Sequence, residues 1–298
     1  KLSTDLLAVI PVPNGSNFTN QIFTNVGSMG NKGIEGTLNL IPFDTKNLKW
    51  ELSANATFNK NKITKLTKVE DSSSIGILVG GISGGIGNTI QIQSVGFPLN
   101  EFFAYQQIYD ENGKPINATG NPVTDTTAFV DQNHDGKITP DDLIWLDKSP
   151  EPKVYLGFSS SFIFKNWFAG FSMRASIGNY IYNNVNSQQG IFANNLDGTK
   201  GYLNNVTTNY LETGFQKAQY LSDYYIEDAS FLRCDNVSLG YNFRNVVSKN
   251  VSLKVAAVVQ NVFVITDYSG LDPEIAGGID NNIYPRPRIF SLNLSLNL

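Results

Sequence analysis

Apolar and polar residues alternate along most of the chain, most clearly at its C-terminus. There one face of the pattern carries Phe290, Leu292, Leu294, Leu296 and Leu298, and the other carries Ser291, Asn293, Ser295 and Asn297. A period of two is typical of a β-strand with one apolar and one polar face. The pattern recurs at 48–59, 153–164, 167–178 and 251–260, and more weakly at 33–43, 88–97, 101–109 and 227–244. It predicts an all-β, antiparallel protein with roughly nine strands.

The lengths of the strands and of their connections favour a membrane protein. Many of the predicted strands reach about 10 residues, whereas strands of globular proteins usually have about 5–6 and tilted transmembrane strands about 9–11. Short connections (44–46, 98–100, 165–166, 245–250) alternate with long ones (60–87, 110–152, 181–226, 266–285). A transmembrane β-barrel has tight turns at one rim and long loops at the other. The alternative is a secreted β-sandwich or solenoid. An odd number of strands cannot close an antiparallel barrel alone, so we expect part of a barrel.

Composition narrows the classes of function. Of the 298 residues only 16% are charged, against roughly 25% in an ordinary soluble domain, and the net charge is −4. A negative net charge argues against nucleic-acid binding, which requires a clustered basic surface. The longest nearly apolar stretch, 255–265, is too short for a spanning helix. The single cysteine, Cys234, excludes an internal disulfide, and the single histidine, His134, makes a catalytic triad improbable. We therefore expect no enzyme.

One segment has the spacing of a twelve-residue calcium loop. Oxygen-bearing side chains occupy positions 1, 3 and 5, glycine occupies position 6, and the backbone carbonyl of position 7 completes the turn. The predicted ligands are Asp131, Asn133, Asp135, Lys137, Thr139 and Asp142. At position 12 Asp142 replaces the usual Glu, which lowers the expected affinity. Because the flanks lack amphipathic helices, we interpret the loop as a structural calcium site; an ion-free Asp/Asn-rich turn is the alternative.

Several sequence blocks together have the form of family motifs. Residues 25–35 follow the pattern N-x-G-x-M-x-N-K-G-x-E, and Gly96–Tyr105 forms a second block. Further blocks lie at 150–157, 222–233, 236–241, 272–274 and 284–288. In this order the blocks resemble those of the SusC/RagA-type TonB-dependent outer-membrane transporters. The resemblance covers nearly the whole chain but only the C-terminal third of the family.

This resemblance implies a 22-stranded barrel with an N-terminal plug, located in the bacterial outer membrane and facing its lipid. It implies import of oligosaccharides or peptides, driven by TonB through the N-terminal region, under a SusD-like surface lipoprotein. Long loops would be extracellular, and short turns and the C-terminus periplasmic. We expect the plug and the first strands in a preceding part of a longer secreted precursor. The domain prediction is therefore one C-terminal barrel portion, 1–298, with the calcium-like loop at 131–142.

The polar face of such a barrel would offer Asn, Ser, Arg and Tyr groups to sugar hydroxyls or peptide amides. The loop aromatics Tyr180, Tyr182, Tyr202 and Tyr210 are candidates for contact with ligand or lipoprotein, and packing within the loops is an equally good interpretation. The alternative function is a secreted, calcium-stabilised glycan-binding module. A glycoside hydrolase has little support, since the pairs Asp141-Asp142 and Glu227-Asp228 are sequence neighbours that point to opposite faces of a strand.

Overall fold

The computed structural model describes residues 1–11, 15–16, 18–19, 21–67, 75–119, 127–192, 196–197, 202–203, 205–246, 251–282 and 284–297. The strands in these ranges are β1 (Leu2–Pro11), β2 (Gln21–Asp44), β3 (Leu48–Lys65), β4 (Ile77–Gly81), β5 (Thr89–Gln93), β6 (Glu101–Ala104), β7 (Ile144–Trp145), β8 (Val154–Phe164), β9 (Trp167–Ile177), β10 (Tyr180–Asn183), β11 (Leu196–Asp197), β12 (Tyr202–Leu203), β13 (Ile226–Asp228), β14 (Phe231–Arg244), β15 (Ser252–Thr266), β16 (Ile279–Asp280) and β17 (Ile289–Asn297). The helices are α1 (Asn184–Gln189), α2 (Tyr210–Thr213) and 3-10 turns at Pro140–Asp142, Asp223–Tyr225 and Ala276–Gly278. No helix in this part of the chain combines the length and the apolar character of a membrane span.

Eight long strands form one antiparallel sheet, which we call the wall. Their order in the sheet is β1-β2-β3-β8-β9-β14-β15-β17, so each wall strand pairs with the next one along the chain. Residues 45–47, 165–166 and the described parts of 245–251 lie at one end of the sheet, and the described parts of 66–153, 178–230 and 267–288 lie at the other. The predicted all-β antiparallel fold is confirmed, and so is the placement of long connections at one rim.

Two predicted wall strands were wrong and one wall strand was missed. Segments 88–97 and 101–109 contain only the short strands β5 and β6, which belong to a separate sheet with β4 and β7. The connection 98–100 is therefore not a rim turn. All four residues of β6 are buried, so neither face of it resembles a membrane strand. In β1, two register shifts near Leu6 break the alternation that would have revealed a strand.

The apolar face of the wall is exposed, as expected of a surface that faces lipid. On β17, Phe290, Leu292, Leu294 and Leu296 are between 57% and 74% exposed. Aromatic side chains gather at the end with short connections, where Phe43 stacks on Trp50 and Tyr241 contacts both Trp167 and Phe243. Aromatic belts of this kind mark membrane interfaces.

The main hydrophobic core lies in the long loops. We call the described parts of 66–153, 178–230 and 267–288 the cap. Its largest core cluster consists of Ile90, Phe102, Ala104, Tyr182, Ile191, Phe215, Tyr225 and Ile226, with Ile279 packed against it. Because these residues come from all three segments, the long loops fold together as one packed body above one rim of the wall.

Glu101, the first residue of β6, is a fully buried carboxyl in the cap. Its Oε1 accepts a hydrogen bond of 2.8 Å from the Lys148 amide, and no partner for Oε2 lies among the described residues. Burial raises the pKa of Glu101 to about 7, although the Lys148 amide opposes the shift. The folded cap therefore favours the protonated carboxyl.

We expect Glu101→Gln to remove a pH dependence from the cap. A raised carboxyl pKa stabilises the fold below the ordinary pKa of about 4.5, and this contribution is lost as pH rises through about 7. The loss amounts to roughly 3 kcal/mol in the native protein, and the variant should not show it. Hydrogen exchange of cap amides between pH 5 and 8, corrected for intrinsic rates, measures this effect. The exposed Glu111→Gln is the control, and equal pH dependence in both variants would contradict the expectation.

Candidate functional site

The loop 131–142 folds as a series of turns closed by side-chain oxygens. The Asp131 carboxylate accepts hydrogen bonds from the amides of His134 (2.7 Å) and Gly136 (2.8 Å). Asn133 accepts one from the Asp135 amide (3.0 Å), and Asp135 accepts one from Lys137 (2.8 Å). Gly136 has φ of 81°, which glycine adopts without strain. The residues at positions 1, 3 and 5 thus shape the reversal that the motif requires.

Asp142 ties the end of this loop to its beginning. Its buried carboxylate accepts hydrogen bonds from the amides of Gln132 (2.9 Å) and Thr139 (2.7 Å), and Thr139 caps the 3-10 turn in return. Desolvation works against ionisation of Asp131, but the amides of Gly136, His134 and Asp135 hold the pKa of that carboxyl below its ordinary value. The hydrogen bonds of the loop thus favour the ionised form of the Asp131 carboxyl.

The donors of the loop are all oxygens, which suits a hard cation such as calcium. Within the described ranges, no group of three or more His, Cys, Asp or Glu side chains is placed to hold a metal ion. The ligand set Asp131, Asn133, Asp135, Lys137, Thr139 and Asp142, and calcium itself, stay predictions.

An ion-pair network joins the cap to the polar face of the wall. Arg174 of β9 and Arg233 of β14 are direct cross-strand neighbours, a pairing of like charges that destabilises a sheet unless it is compensated. Arg174 Nε contacts Asp235 at 2.9 Å, and its Nη1 and Nη2 both contact Glu274, the latter at 2.8 Å. The carboxylates of Asp235 and Glu274 thus balance the charge of Arg174.

Arg233 binds the same segment, 267–288, and is more deeply buried than Arg174. Arg233, only 2% exposed at its side chain, contacts Asp272 at 2.7 Å and Glu274 at 3.0 Å. Its Nη1 also donates to Asn261 at 2.7 Å, and Arg286 contacts Glu274 at 2.6 Å. The segments 272–274 and 284–288, which the sequence offered only as separate blocks, therefore meet in one network. The sequence held no local signal for their contact.

A cavity of about 520 Å³, which we call the wall pocket, lies beside this network. Arg174, Glu274 and Arg286 form its charged side. The rest of its lining is Asn55, Pro150, Glu151, Pro152, Tyr155, Leu156, Gly157, Ala175, Ser176, Asn179, Phe231, Pro273, Ile275, Ala276 and Gly277. A smaller cavity of about 210 Å³ adjoins it and shares Glu151 and Pro152. Sequence reasoning did not locate either cavity.

The loop tyrosines differ in their surroundings. Tyr182 is fully buried in the cap core, and its hydroxyl donates to the Tyr220 carbonyl at 2.5 Å, so packing explains it. Tyr180 is half-buried with the Lys148 ammonium 5.2 Å from its ring centre, and Tyr210 begins α2. The side chain of Tyr202 lies outside the described residues.

The neighbouring carboxylates of β13, Glu227 and Asp228, accept hydrogen bonds from different groups. Glu227 accepts from Asn183 at 3.0 Å and from Ser269 at 2.8 Å, whereas Asp228 accepts from the amide of Ser230 at 2.7 Å. This arrangement agrees with the expectation that the two carboxyls do not act together.

Comparisons with known proteins show that the chain is similar in sequence to TonB-dependent receptors. No protein-family model matches it. The TonB-dependent receptor SusC of Bacteroides thetaiotaomicron is 42% identical over 98% of this chain and 29% of its own length. The TonB-dependent receptor P26 of Formosa agariphila is 29% identical over 99% of this chain and 32% of its own. The chain thus spans about a third of the length of these relatives.

The fold agrees with that of a solved transporter. The structure of the RagAB peptide transporter superposes with a TM-score of 0.73 at 23% identity, covering 99% of this chain and 32% of the transporter chain. The resemblance to SusC/RagA-type proteins is confirmed. The matched proteins are receptors and transporters, not enzymes, in line with the expected absence of an enzyme activity.

Proposed function

The chain is SusC/RagA-like in sequence over nearly its whole length, and we propose that it forms part of the wall and the loops of a TonB-dependent outer-membrane importer. The 42% identity to SusC over 98% of the chain carries this proposal. The exposed apolar face of the wall and the polar, cap-bearing face opposite support it, because a barrel importer needs lipid on one side and water on the other.

We assign the polar face to the lumen and the cap to the extracellular side. The cap contains all the long connections except the one between β1 and β2, and functional loops of outer-membrane barrels are extracellular. The short connections and the C-terminus would then be periplasmic. A SusD-like lipoprotein would cover the cap, and TonB would act through a plug in the N-terminal region of the complete protein.

The proposed cargo is an oligosaccharide or a peptide. Neutral hydrogen-bonding groups lie along the polar face of the wall. Asn236 donates to the Ser172 hydroxyl at 2.6 Å, and Ser238 donates to the Gly170 carbonyl at 3.3 Å. Such groups suit uncharged, hydrogen-bonding cargo.

Uptake by cells tests the importer proposal. Cells that lack the complete gene, and cells that lack TonB, are compared with the parent strain for accumulation of labelled oligosaccharides and peptides. The proposal expects the same cargo to be lost in both mutants and the protein to need detergent for extraction. Unchanged uptake, or a freely soluble complete protein, would contradict it and favour the secreted glycan-binding module.

We also propose that calcium braces the loop 131–142, since its oxygen donors have the spacing of a calcium loop. The double variant Asp131→Ala, Asp135→Ala is expected to loosen residues 110–152 and leave the barrel assembled. The measurement is protease cleavage of this segment in the complete protein, with calcium and after chelation. The exposed neighbour Asp141→Ala is the matched control. Equal cleavage of the double variant and the native protein would refute the calcium site.

A further inference from the structure

We propose that three lysines on the apolar face of the wall bind the phosphate groups of a glycolipid in the outer leaflet of the bacterial outer membrane. The lysines are Lys32 of β2 and Lys60 and Lys62 of β3, and we call them the lysine cluster. This inference rests on the proposed location of the wall in that membrane, and it adds a specific lipid partner. Three observations support it: the strand register, the level of the lysines along the strands, and their uncompensated charge.

The strand register places the lysine cluster on the apolar face of the wall. Lys32 lies directly opposite Lys60, and the next pair on the same face is Ile34 opposite Phe58. Residues two positions apart on a strand point to the same side of the sheet. Ile34 is 77% exposed and Phe58 48%, and all three lysines are exposed as well. The lysine cluster therefore continues the surface that faces lipid in the proposed importer.

The lysine cluster begins where the apolar part of that surface ends. From Leu48 to Phe58, β3 has the length of a tilted transmembrane strand, about 9–11 residues. The register of Phe58 continues through Val154 to Ile177, so apolar residues occupy this level on β8 and β9 too. Two further residues of a strand extend about 7 Å, and strand tilt reduces the gain in height. The lysines therefore lie at the level of the lipid headgroups, at the end of the wall that bears the cap.

The positive charge of the lysine cluster is not compensated within the described ranges. Lys32 and Lys60 form a direct cross-strand pair of like charges, which destabilises a sheet. For the like-charged pair Arg174 and Arg233, the chain itself supplies carboxylates. Among the described residues, by contrast, no carboxylate forms an ion pair with any lysine of the cluster. An anion from outside the chain can supply the missing negative charge.

The surface beside the lysine cluster leaves room for such an anion. Gly30 lies opposite Lys62 and has no side chain, and an added Cβ there would be 3.9 Å from the nearest described atom beyond its chain neighbours. Asp147 and Glu151 line a cavity together with Lys60, but neither is ion-paired with it. The ammonium groups are thus available to a ligand held at the exposed surface.

The chemistry of the lysine cluster suits phosphate at a membrane surface. An ammonium group is a compact point charge that binds phosphate oxygens, and each lysine near an anionic lipid surface strengthens the attraction about fivefold. The extracellular leaflet of a bacterial outer membrane contains glycolipids that carry phosphates close to the boundary between sugar and acyl chains. With the cap on that side, the phosphates would meet the lysine cluster while the acyl chains lie along Ile34 and Phe58.

Lipid binding to the complete protein, delipidated in detergent, tests this assignment. The native protein and the triple variant Lys32→Gln, Lys60→Gln, Lys62→Gln are titrated with lipid A, with dephosphorylated lipid A and with phosphatidylglycerol, and native mass spectrometry measures the bound lipid. We expect the native protein to prefer lipid A. The triple variant should bind it roughly a hundredfold more weakly, since each lysine contributes about fivefold, and added salt should reduce the difference.

The matched control is the double variant Lys46→Gln, Lys165→Gln. It removes exposed lysines from two short connections at the opposite rim of the wall, so its binding of lipid A should equal that of the native protein.

Thermal unfolding in detergent separates lipid binding from a purely structural role of the lysines. Without lipid, the triple variant should be at least as stable as the native protein, because its like-charged pair is gone. Lipid A should then raise the Tm of the native protein and of the control more than that of the triple variant. An equal rise in all three proteins would contradict the assignment.

The outcomes also separate failure of this inference from failure of the import function. Equal binding of lipid A by the native protein and the triple variant overturns the lysine cluster as a site, as does absence of binding by the native protein. Equal binding of dephosphorylated lipid A or of phosphatidylglycerol overturns the phosphorylated glycolipid as its ligand. In each case, uptake that still depends on the gene and on TonB leaves the importer proposal standing.

Discussion

Arg233→Ala is expected to release the segment between β15 and β17 from the wall. The buried guanidinium contacts Asp272, Glu274 and Asn261, and its loss would leave the buried Asp272 carboxylate without its nearest cation. Removing one partner of a buried ion pair typically costs about 3–5 kcal/mol. Burial opposes ionisation of Glu274, but Arg174, Arg286 and Arg233 hold its pKa below the ordinary value, so its charge persists at neutral pH.

Hydrogen exchange in the complete protein measures this release. The Glu274 amide donates to Asp272 at 2.9 Å, and its exchange should become faster by on the order of a hundredfold or more in the variant. The control is Lys49→Ala, which removes a solvent-exposed ion pair of 2.6 Å with Glu51, a kind of pair that contributes little to stability. An Arg233→Ala effect no larger than that of the control would contradict the role of the network.

Leu294→Arg is expected to destabilise the protein in its membrane, whereas Asn293→Arg is not. The two residues are neighbours on β17 and both exposed, but they lie on opposite faces of the wall. An arginine on the lipid face near the middle of the bilayer costs about 2–4 kcal/mol, whereas the lumen face tolerates charge. Denaturant unfolding from lipid vesicles gives both values. Equal losses in the two variants, or a larger loss for Asn293→Arg, would contradict the assignment of the faces.

The wall was predictable from sequence because the two faces of each strand lie in different environments, so apolar and polar residues alternate along the strand. The predicted strand 290–298 corresponds to β17 at Ile289–Asn297, and 167–178 corresponds to β9. Where both faces of a strand have the same surroundings, apolar and polar residues no longer alternate. Glu101 and Phe102 of β6 are both buried in the cap, so alternation could not separate this short strand from the wall strands.

The two candidate sites also differ in how far the sequence could predict them. The calcium-like loop is local, so the spacing from Asp131 to Asp142 could be read directly, and the turns around Asp131 and Gly136 follow it. The ion-pair network is not local. Arg174 and Glu274 are 100 positions apart and meet only because strand register places β9 beside β14 and folds the last long loop across both. Sequence spacing contains no information about such a contact.

In the proposed importer, one face of the wall contacts lipid and the other contacts water. Single spin labels along β17, in the complete protein with Cys234→Ser and reconstituted in vesicles, distinguish the two faces. Labels at Phe290, Leu292, Leu294 and Leu296 should be relaxed by oxygen dissolved in the lipid, and labels at Ser291, Asn293 and Ser295 by a water-soluble nickel complex. Equal accessibility at successive positions, or alternation in the opposite phase, would show that the two faces of the wall are not divided between lipid and water.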